Sequence, residues 1–303
     1  MNPIVGIGEL LWDIFPDGRK VAGGAPFNFA FHCHQLNHPA VIVSRVGDDD
    51  LGRELREEVR RLGLSDEYIQ TDRDHPTGTV RVALDENKVP TYTITVNVAW
   101  DYIGWDEQLE KLAREAAVIC FGTLAQRQPT SRRAIHEVLA AATGAIKVFD
   151  VNLRGKLSNE THALVLDLTR TVDWLKVNDH ELGELLSGSN ICEPLPRKES
   201  SLRWLFSPRD PRQVGIVTRG GKSTAVADWQ RTEWIPAVPV EVVDTVGAGD
   251  AFTAAMVCLH LEGRPLRECA RFANHYAARV CEHRGATPRV DRADVERAAF
   301  GPP

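Results

Sequence analysis

Between residues 106 and 261 the chain repeats one pattern: a helix-period stretch, a short apolar run, then a turn rich in Gly, Asn or Asp. Few architectures accept that pattern. An apolar run without polar alternation is buried on both faces, as parallel strands are, and parallel neighbours need a crossover helix between them. Residues 106–115 read as a helix, 117–121 as a strand ending at Gly122, and 132–142 as a second helix. A strand over 146–151 ends in Asn152-Leu153-Arg154, helical residues run up to 168, and a strand over 174–177 ends at Asn178. After a polar break at 194–198 and a helical stretch to 206, a strand over 214–217 ends in Thr218-Arg219-Gly220-Gly221, and strands over 223–228 and 232–235 follow. The expected fold is α/β, a doubly wound and mostly parallel sheet with ligands at the carboxyl ends of its strands.

The N-terminal part prepares a second cluster. Residues 4–11 read as one buried strand running into Gly8-Glu9-Leu10-Leu11-Trp12-Asp13. Asp13 is either a loop carboxylate near the Pro16-Asp17-Gly18 turn or an acceptor for ligand hydroxyls. In Gly23-Gly24-Ala25-Pro26-Phe27-Asn28, the glycines permit close backbone approach and Pro26 suits the first turn of a helix to about residue 36. Asn28, one turn in, can reach back to a ligand at that helix start. A strand over 40–46 leads to Asp48-Asp49-Asp50, three acids that suit either a metal or the first turn of the helix they open. Residues 77–84 and 91–96 alternate polar and apolar around a turn at 85–88, the pattern of a hairpin with one wet face. With the segment near 15–21 this hairpin would form a small sheet apart from the main one.

The chemistry concentrates in Val243-Asp244-Thr245-Val246-Gly247-Ala248-Gly249-Asp250, entered from the apolar run 238–243 and left through a helical pattern over 251–261. Two glycines in three positions let successive N–H groups point into one concavity, and the helix that begins there adds unpaired amides and its positive end. That is a site for a phosphate or a developing anion. Asp250 at its mouth is placed to take a proton from an attacking hydroxyl, a pairing that suits phosphoryl transfer to an alcohol. A glycine turn with an Asp near a helix start is the plainer alternative.

Composition removes several classes. A net charge of −6 gives a nucleic-acid partner no electrostatic support. The six cysteines are scattered without a C-x-x-C, which suits free thiols in a reducing compartment. His32-Cys33-His34 are adjacent, so on a helix they point apart and make a poor metal cluster. Gly6, Gly8 and Glu9 interrupt the N-terminal apolar stretch, so a signal peptide is not expected, and no run approaches the roughly 20 apolar residues of a membrane span. A cytoplasmic protein is expected.

The ordered motifs between Gly8 and Pro288 resemble those of the ribokinase-like (PfkB) sugar and nucleoside kinases, and within them the bacterial fructokinase-like sugar kinases. The resemblance rests on the 243–250 run, Gly8 to Asp13, Gly23 to Ala30, Phe121-Gly122-Thr123-Leu124-Ala125-Gln126-Arg127 and Asp150-Val151-Asn152-Leu153-Arg154. It implies one kinase domain over 1–303, a lid formed by segments of about 13–22 and 77–98, and ATP-dependent phosphorylation of a small carbohydrate, fructose first. It further implies Asp250 as general base with Gly247, Ala248, Gly249 and Arg154 around the phosphoryl group, and Asp13, Gly23, Gly24, Asn28 and Asn152 on the sugar. Arg154 is otherwise a surface arginine, and Arg127 is a weaker candidate of the same kind. Asn178, Thr218, Gly220, Gly221 and Asn274 would serve the nucleotide, and Glu181 would organise the water shell of Mg²⁺, although Asn178 and Glu181 also have the spacing of a capping box. Relatives of this kind often bind a monovalent cation, which assigns K⁺ to Asp244, Val246 and Ala286 as a candidate site. A nucleoside or 2-keto-3-deoxygluconate kinase of the same fold is the near alternative, and a non-catalytic sugar or nucleotide sensor the distant one. A homodimer is a candidate assembly, since a partner can complete a lid. Phe27 departs from the small residue usual in relatives and either trims the sugar pocket or packs into the core. Gly155-Lys156 after Arg154 is a second departure.

Overall fold

A computed structural model of the chain describes residues 1–84, 90–155, 157–187, 212–228 and 230–301. The expected turn at 85–88 and the expected polar break and helix over 194–206 lie outside the described residues. The chain divides into two compact units, one of Met1–Ile119 and Ala125–Ala145, the other of Cys120–Leu124 and Ile146–Pro303.

In the first unit, β1 (Ile4–Ile7) is wholly buried and pairs in parallel with β4 (Ala40–Gly47), Val5 opposite Val41. The expected single strand over 4–11 is two. Gly8 has φ +147°, and the chain leaves the large sheet there to enter β2 (Leu11–Ile14) of a separate small sheet. That sheet has the order β3-β2-β6-β7, with β3 (Lys20–Gly23), β6 (Gly78–Leu84) and β7 (Pro90–Ile94). The small sheet foreseen from the hairpin is therefore present, but Phe15 to Arg19 form the turn between β2 and β3 rather than a strand. Helix α1 (Ala25–Gln35) begins with Pro26 in its first turn, where a missing N–H costs nothing.

The acids at 48–50 resolve as a helix start. Asp49 caps α2 (Asp50–Arg61), its Oδ1 accepting from the Gly52 amide at 2.7 Å. The same carboxylate accepts from the Thr77 amide at 2.8 Å and the Thr77 hydroxyl at 2.6 Å, so it also fixes the entry to β6. Helix α2 buries Leu55 and Val59, four apart on one face, against the unit's core and turns arginines and glutamates outward. The edge strand β5 (Ile69–Asp72) lies parallel to β4. Asp106 caps α3 (Glu107–Glu115) through the Leu109 amide at 2.9 Å, followed by β8 (Val118–Phe121). Helix α4 (Pro129–Ala141) starts three residues earlier than expected because Pro129 supplies its first turn.

In the second unit, β9 (Ile146–Asp150), β10 (Trp174–Asn178) and β11 (Val214–Thr218) are parallel neighbours, as the alternation predicts. Helix α5 (Asn159–Leu168) crosses between the first two, and α6 (Asp179–Ser187) leaves the end of β10. Strands β12 (Ser223–Ala227) and β13 (Thr232–Pro236) close the edge as antiparallel strands. The apolar run 238–243 forms no strand, and Val242 and Val243 are more than half exposed. Helix α7 (Ala248–Leu261) is buried continuously from Ala251 to Leu259, as a helix apolar on every side must be. It packs along α8 (Leu266–Cys281), and α9 (Arg292–Phe300) packs on α8 in turn. Among the described residues no helix is long and apolar enough to cross a membrane.

Candidate active site

Two groups of candidate residues emerge, one in each unit. In the first unit, Gly24 caps α1 with φ +119°, and a Cβ there would collide with the Glu9 carbonyl, so only glycine fits. Glu9, itself buried, accepts the Ala25 amide with Oε1 at 3.3 Å. Sequence reasoning gave Glu9 no role; the structure makes it the acid that meets the helix start. Asn28 lies one turn into α1 and is 5% exposed. Asp13 stands on β2 of the small sheet, not at the end of a large-sheet strand, and its Oδ2 would lie 2.7 Å from a Cβ at Gly23. Asp13, Gly23, Gly24 and Asn28 thus belong to β2, β3 and the start of α1, with Gly23 opposite Leu11 in the β2–β3 pair. Phe27 is fully buried, which favours the core role for its ring. Arg127 is committed to structure: it makes a two-point ion pair with fully buried Asp101 at 2.7 and 2.8 Å and lies 4.0 Å over the Trp100 ring.

In the second unit, Gly247 caps α7 in the left-handed region at φ +77°. A Cβ at Gly247 would stand 2.6 Å from Cα of Ala286, so backbone angle and space both require glycine. Asp244 ties the turn together: Oδ1 accepts the Val246 amide at 3.1 Å and Oδ2 the Gly285 amide at 2.9 Å. The Val246 amide is therefore engaged inside the turn, and Ala248 donates to the Thr245 carbonyl at 3.3 Å. The Gly249 amide has no acceptor among the described residues, which narrows the candidate anion cradle to the start of α7 around Gly247 and Gly249, with Asp250 in the same first turn.

The strand ends supply the rest. Asn178 and Thr218 stand side by side at the carboxyl ends of β10 and β11. Asn178 and Glu181 form the reciprocal cap their spacing suggests: Glu181 accepts the Asn178 amide at 2.8 Å, and Asn178 Oδ1 accepts the Glu181 amide at 2.8 Å. The other Glu181 oxygen accepts the Leu153 amide at 2.9 Å, fixing the loop that carries Asn152 and Arg154. Burial pushes the Glu181 carboxyl above the usual range against the pull of Lys176. Asn152 has φ +43°, and Arg154 is exposed. Gly220 and Gly221 form the exposed β11–β12 turn. Asn274 is buried and bound on both sides, accepting from the Thr224 hydroxyl at 2.8 Å and donating to the Pro236 carbonyl at 3.0 Å. Its side chain joins α8 to β12 and the end of β13.

Sequence reasoning missed Lys176. It sits opposite Asp150 in the β9–β10 register, is 7% exposed, and donates to both Asp150 oxygens at 3.0 and 2.9 Å. The Thr253 hydroxyl accompanies it, 3.0 Å from Asp150 Oδ2 and 3.0 Å from the Gly249 carbonyl. Burial alone would lower the Lys176 pKa, but Asp150, with Glu181 and Asp250, holds the ammonium above the usual lysine range. The signal was a lysine inside the apolar strand Trp174-Leu175-Lys176-Val177, because an unpaired charge is not tolerated there.

Over residues 14–292 the sequence matches the model of the pfkB family carbohydrate kinases. The chain belongs to that family. An uncharacterized sugar kinase from Pyrococcus horikoshii is 30% identical over 311 residues, covering 95% of this chain and 93% of that one. Its crystal structure has a TM-score of 0.81 to this carbohydrate kinase, at 26% identity and 97% coverage of both chains. The fructokinase of Klebsiella pneumoniae is 29% identical over 260 residues, 83% of this chain and 82% of that one. A double-mutant fructokinase of Vibrio cholerae, crystallised with fructose, ADP and a potassium ion, shares the fold at a TM-score of 0.83, with 22% identity and coverage of 99% and 98%. The fold is thus ribokinase-like, with a large mostly parallel sheet and a smaller sheet, and the protein is a sugar kinase.

Proposed function

We propose that this carbohydrate kinase transfers the γ-phosphoryl group of ATP to a hydroxyl of a ketohexose, with fructose the first candidate. The observation that carries the chemistry is the left-handed Gly247 cap, after which the Gly249 amide finds no acceptor among the described residues, next in sequence to Asp250. Fructose is favoured by the fructokinase relative from Klebsiella pneumoniae. Asp13, the Gly23-Gly24 backbone and Asn28 hold the sugar, and Asn152 is a further sugar ligand in this reading. The small sheet, segments of about 13–22 and 77–98, acts as its lid and excludes water, so that the whole chain works as one kinase domain. The sugar oxygen forms a bond to the γ-phosphorus as the bond to the bridging oxygen of ADP breaks. The hydroxyl proton passes to Asp250, and ADP leaves with the negative charge. The amides of Gly247 and Gly249 at the start of α7 and the Arg154 guanidinium stabilise the charge on the transferring group, with Ala248 holding the turn closed through its bond to Thr245.

Asn178, Thr218, Gly220 and Gly221 line the nucleotide, and Asn274 supports it by holding the edge strands in place. Glu181 fits an indirect role toward Mg²⁺: both its oxygens already accept backbone amides, so contact through water suits it better than direct ligation. When bound, Mg²⁺ screens the phosphate charge that the amides do not reach. The Asp244 carboxylate and backbone oxygens of Val246 and Ala286 are hard donors of the kind K⁺ accepts, and the Asp244–Gly285 bond joins the two loops that carry them.

An acceptor screen over ketohexoses, ribose, 2-keto-3-deoxygluconate and nucleosides tests the substrate class. Turnover on fructose above all others is expected; preference for an adenosine-like acceptor would replace the reading with a nucleoside kinase. In the same assay Asp250→Asn is expected to lower kcat by about 10²–10⁴-fold with ATP affinity nearly unchanged. Wild-type kcat in that variant would remove Asp250 from the role of base.

A further inference from the structure

We infer that Lys176 is a positioning residue whose buried charge sits beneath the anion cradle and tunes it, an inference that rests on the assignment of the Gly247–Asp250 turn as the phosphoryl site. Three observations lead there. A Cβ built on Gly249 would lie 3.1 Å from Lys176 Nζ, so the ammonium lies directly under the cradle's central residue. Asp150 grips the ammonium with both oxygens, which fixes its position. The Thr253 hydroxyl, one turn along α7, lies within 3.0 Å of both the Asp150 carboxylate and the Gly249 carbonyl and shares its one proton between them, which ties the ion pair to the helix that carries the cradle.

Three carboxylates from three elements act on the Lys176 charge: Asp150 on β9 in direct contact, then Glu181 on α6 and Asp250 on α7 at longer range. Asp150 holds the cation directly, and Asp250 feels the same charge from further away. Before the sugar is deprotonated, the ammonium favours the ionised, proton-accepting form of Asp250. As that carboxylate takes the proton, Lys176 is left facing the phosphoryl group with less of its charge offset locally. A positive charge that is preorganised and shielded from water acts more strongly on a developing anion than the same charge in solvent.

A purely structural ion pair makes a different forecast. There Lys176 would serve only to neutralise Asp150, and removing one partner would strand the other, whereas removing both charges restores stability. The test therefore compares wild type, Lys176→Met and the double variant Lys176→Met with Asp150→Asn, using the best acceptor from the screen. Melting temperature and the pH profile of kcat/KM are measured for each. The double variant removes both charges and keeps the Thr253 hydroxyl supplied with an oxygen acceptor, so it remains informative if the single variant unfolds.

The expected result is a double variant that melts near wild type but turns over at least about tenfold more slowly. In a folded Lys176→Met the acid limb of the pH profile should move to higher pH, because the cation is gone while the Asp150 charge stays, and in the double variant, which removes that charge as well, it should move by less. A folded double variant with wild-type kcat and an unmoved acid limb would overturn the inference and leave only the structural pair. A wild-type protein that phosphorylates no acceptor in the screen would overturn the assignment of the turn itself, and the inference with it. Those two failures are distinguished by wild-type activity alone.

Discussion

At the residue scale, the site depends on positions where one side chain has no substitute. Gly247 is such a position, because it combines a left-handed backbone with a Cβ direction filled by Ala286. Gly247→Ala must either strain the turn or push away the loop at 285–286, at a cost of about 1–3 kcal/mol for the backbone alone. The expected outcome is a lower melting temperature together with loss of most phosphorylation. A variant with unchanged stability and turnover would show that the turn tolerates a different conformation. Asn274 shows the opposite case. The family resemblance assigned it to the nucleotide, and its amide is engaged by Thr224 and Pro236. Arg127 is likewise drawn away by the buried Asp101 carboxylate, to which its planar fork is suited.

At the element scale, helix starts do much of the positioning. Asp49 caps α2 and also holds Thr77 at the entry to β6, so one carboxylate couples a helix of the first unit to its small sheet. Burial raises the Asp49 pKa, but hydrogen bonds from Thr77 and Gly52 outweigh it and bring the group below 3.8. A carboxyl with a lowered pKa in the folded state stabilises above its unfolded value, and that stabilisation is lost as pH falls through the lowered one. Asp49→Ala is therefore expected to cost about 1–2 kcal/mol at pH 7 and clearly less near pH 3, read from urea unfolding at the two pH values. An equal loss at both would mean that the ionised form contributes nothing special. Asp72 is shifted in the same direction: burial raises it, and amides of Asp74 and His75, with Arg45, more than compensate. Acid should thus loosen the first unit through Asp49 and Asp72 together.

At the scale of the whole molecule, nucleotide binding should register as stability, because a ligand that binds only the folded chain stabilises it by mass action. ATP at about 100 times its Kd adds about 2.7 kcal/mol, which for a chain of this size is a rise of several degrees in Tm, about 2–4 °C for each kcal/mol. The wild type and Asp250→Asn should both show that rise, and Gly247→Ala should lose most of it; an equal rise in all three would place the phosphates away from the turn. Much of this molecule was legible in the order of its residues. The apolar runs that become parallel strands, the polar–apolar alternation of β6 and β7, the Gly247 turn and the Asn178–Glu181 cap each show in neighbouring residues, because a local backbone or burial requirement selects a recognisable residue type. The break at Gly8, the solvent exposure of Val242 and Val243, and the partners of Asp49, Arg127, Asn274 and Lys176 were not legible. Asp150 and Thr253 stand 103 residues apart, and no period or spacing encodes their meeting at Lys176. Sequence alone determined where the chain must turn and which turn is the candidate for an anion; tertiary structure alone decided which buried charges meet, because a buried charge chooses its partner from whatever packing brings within reach.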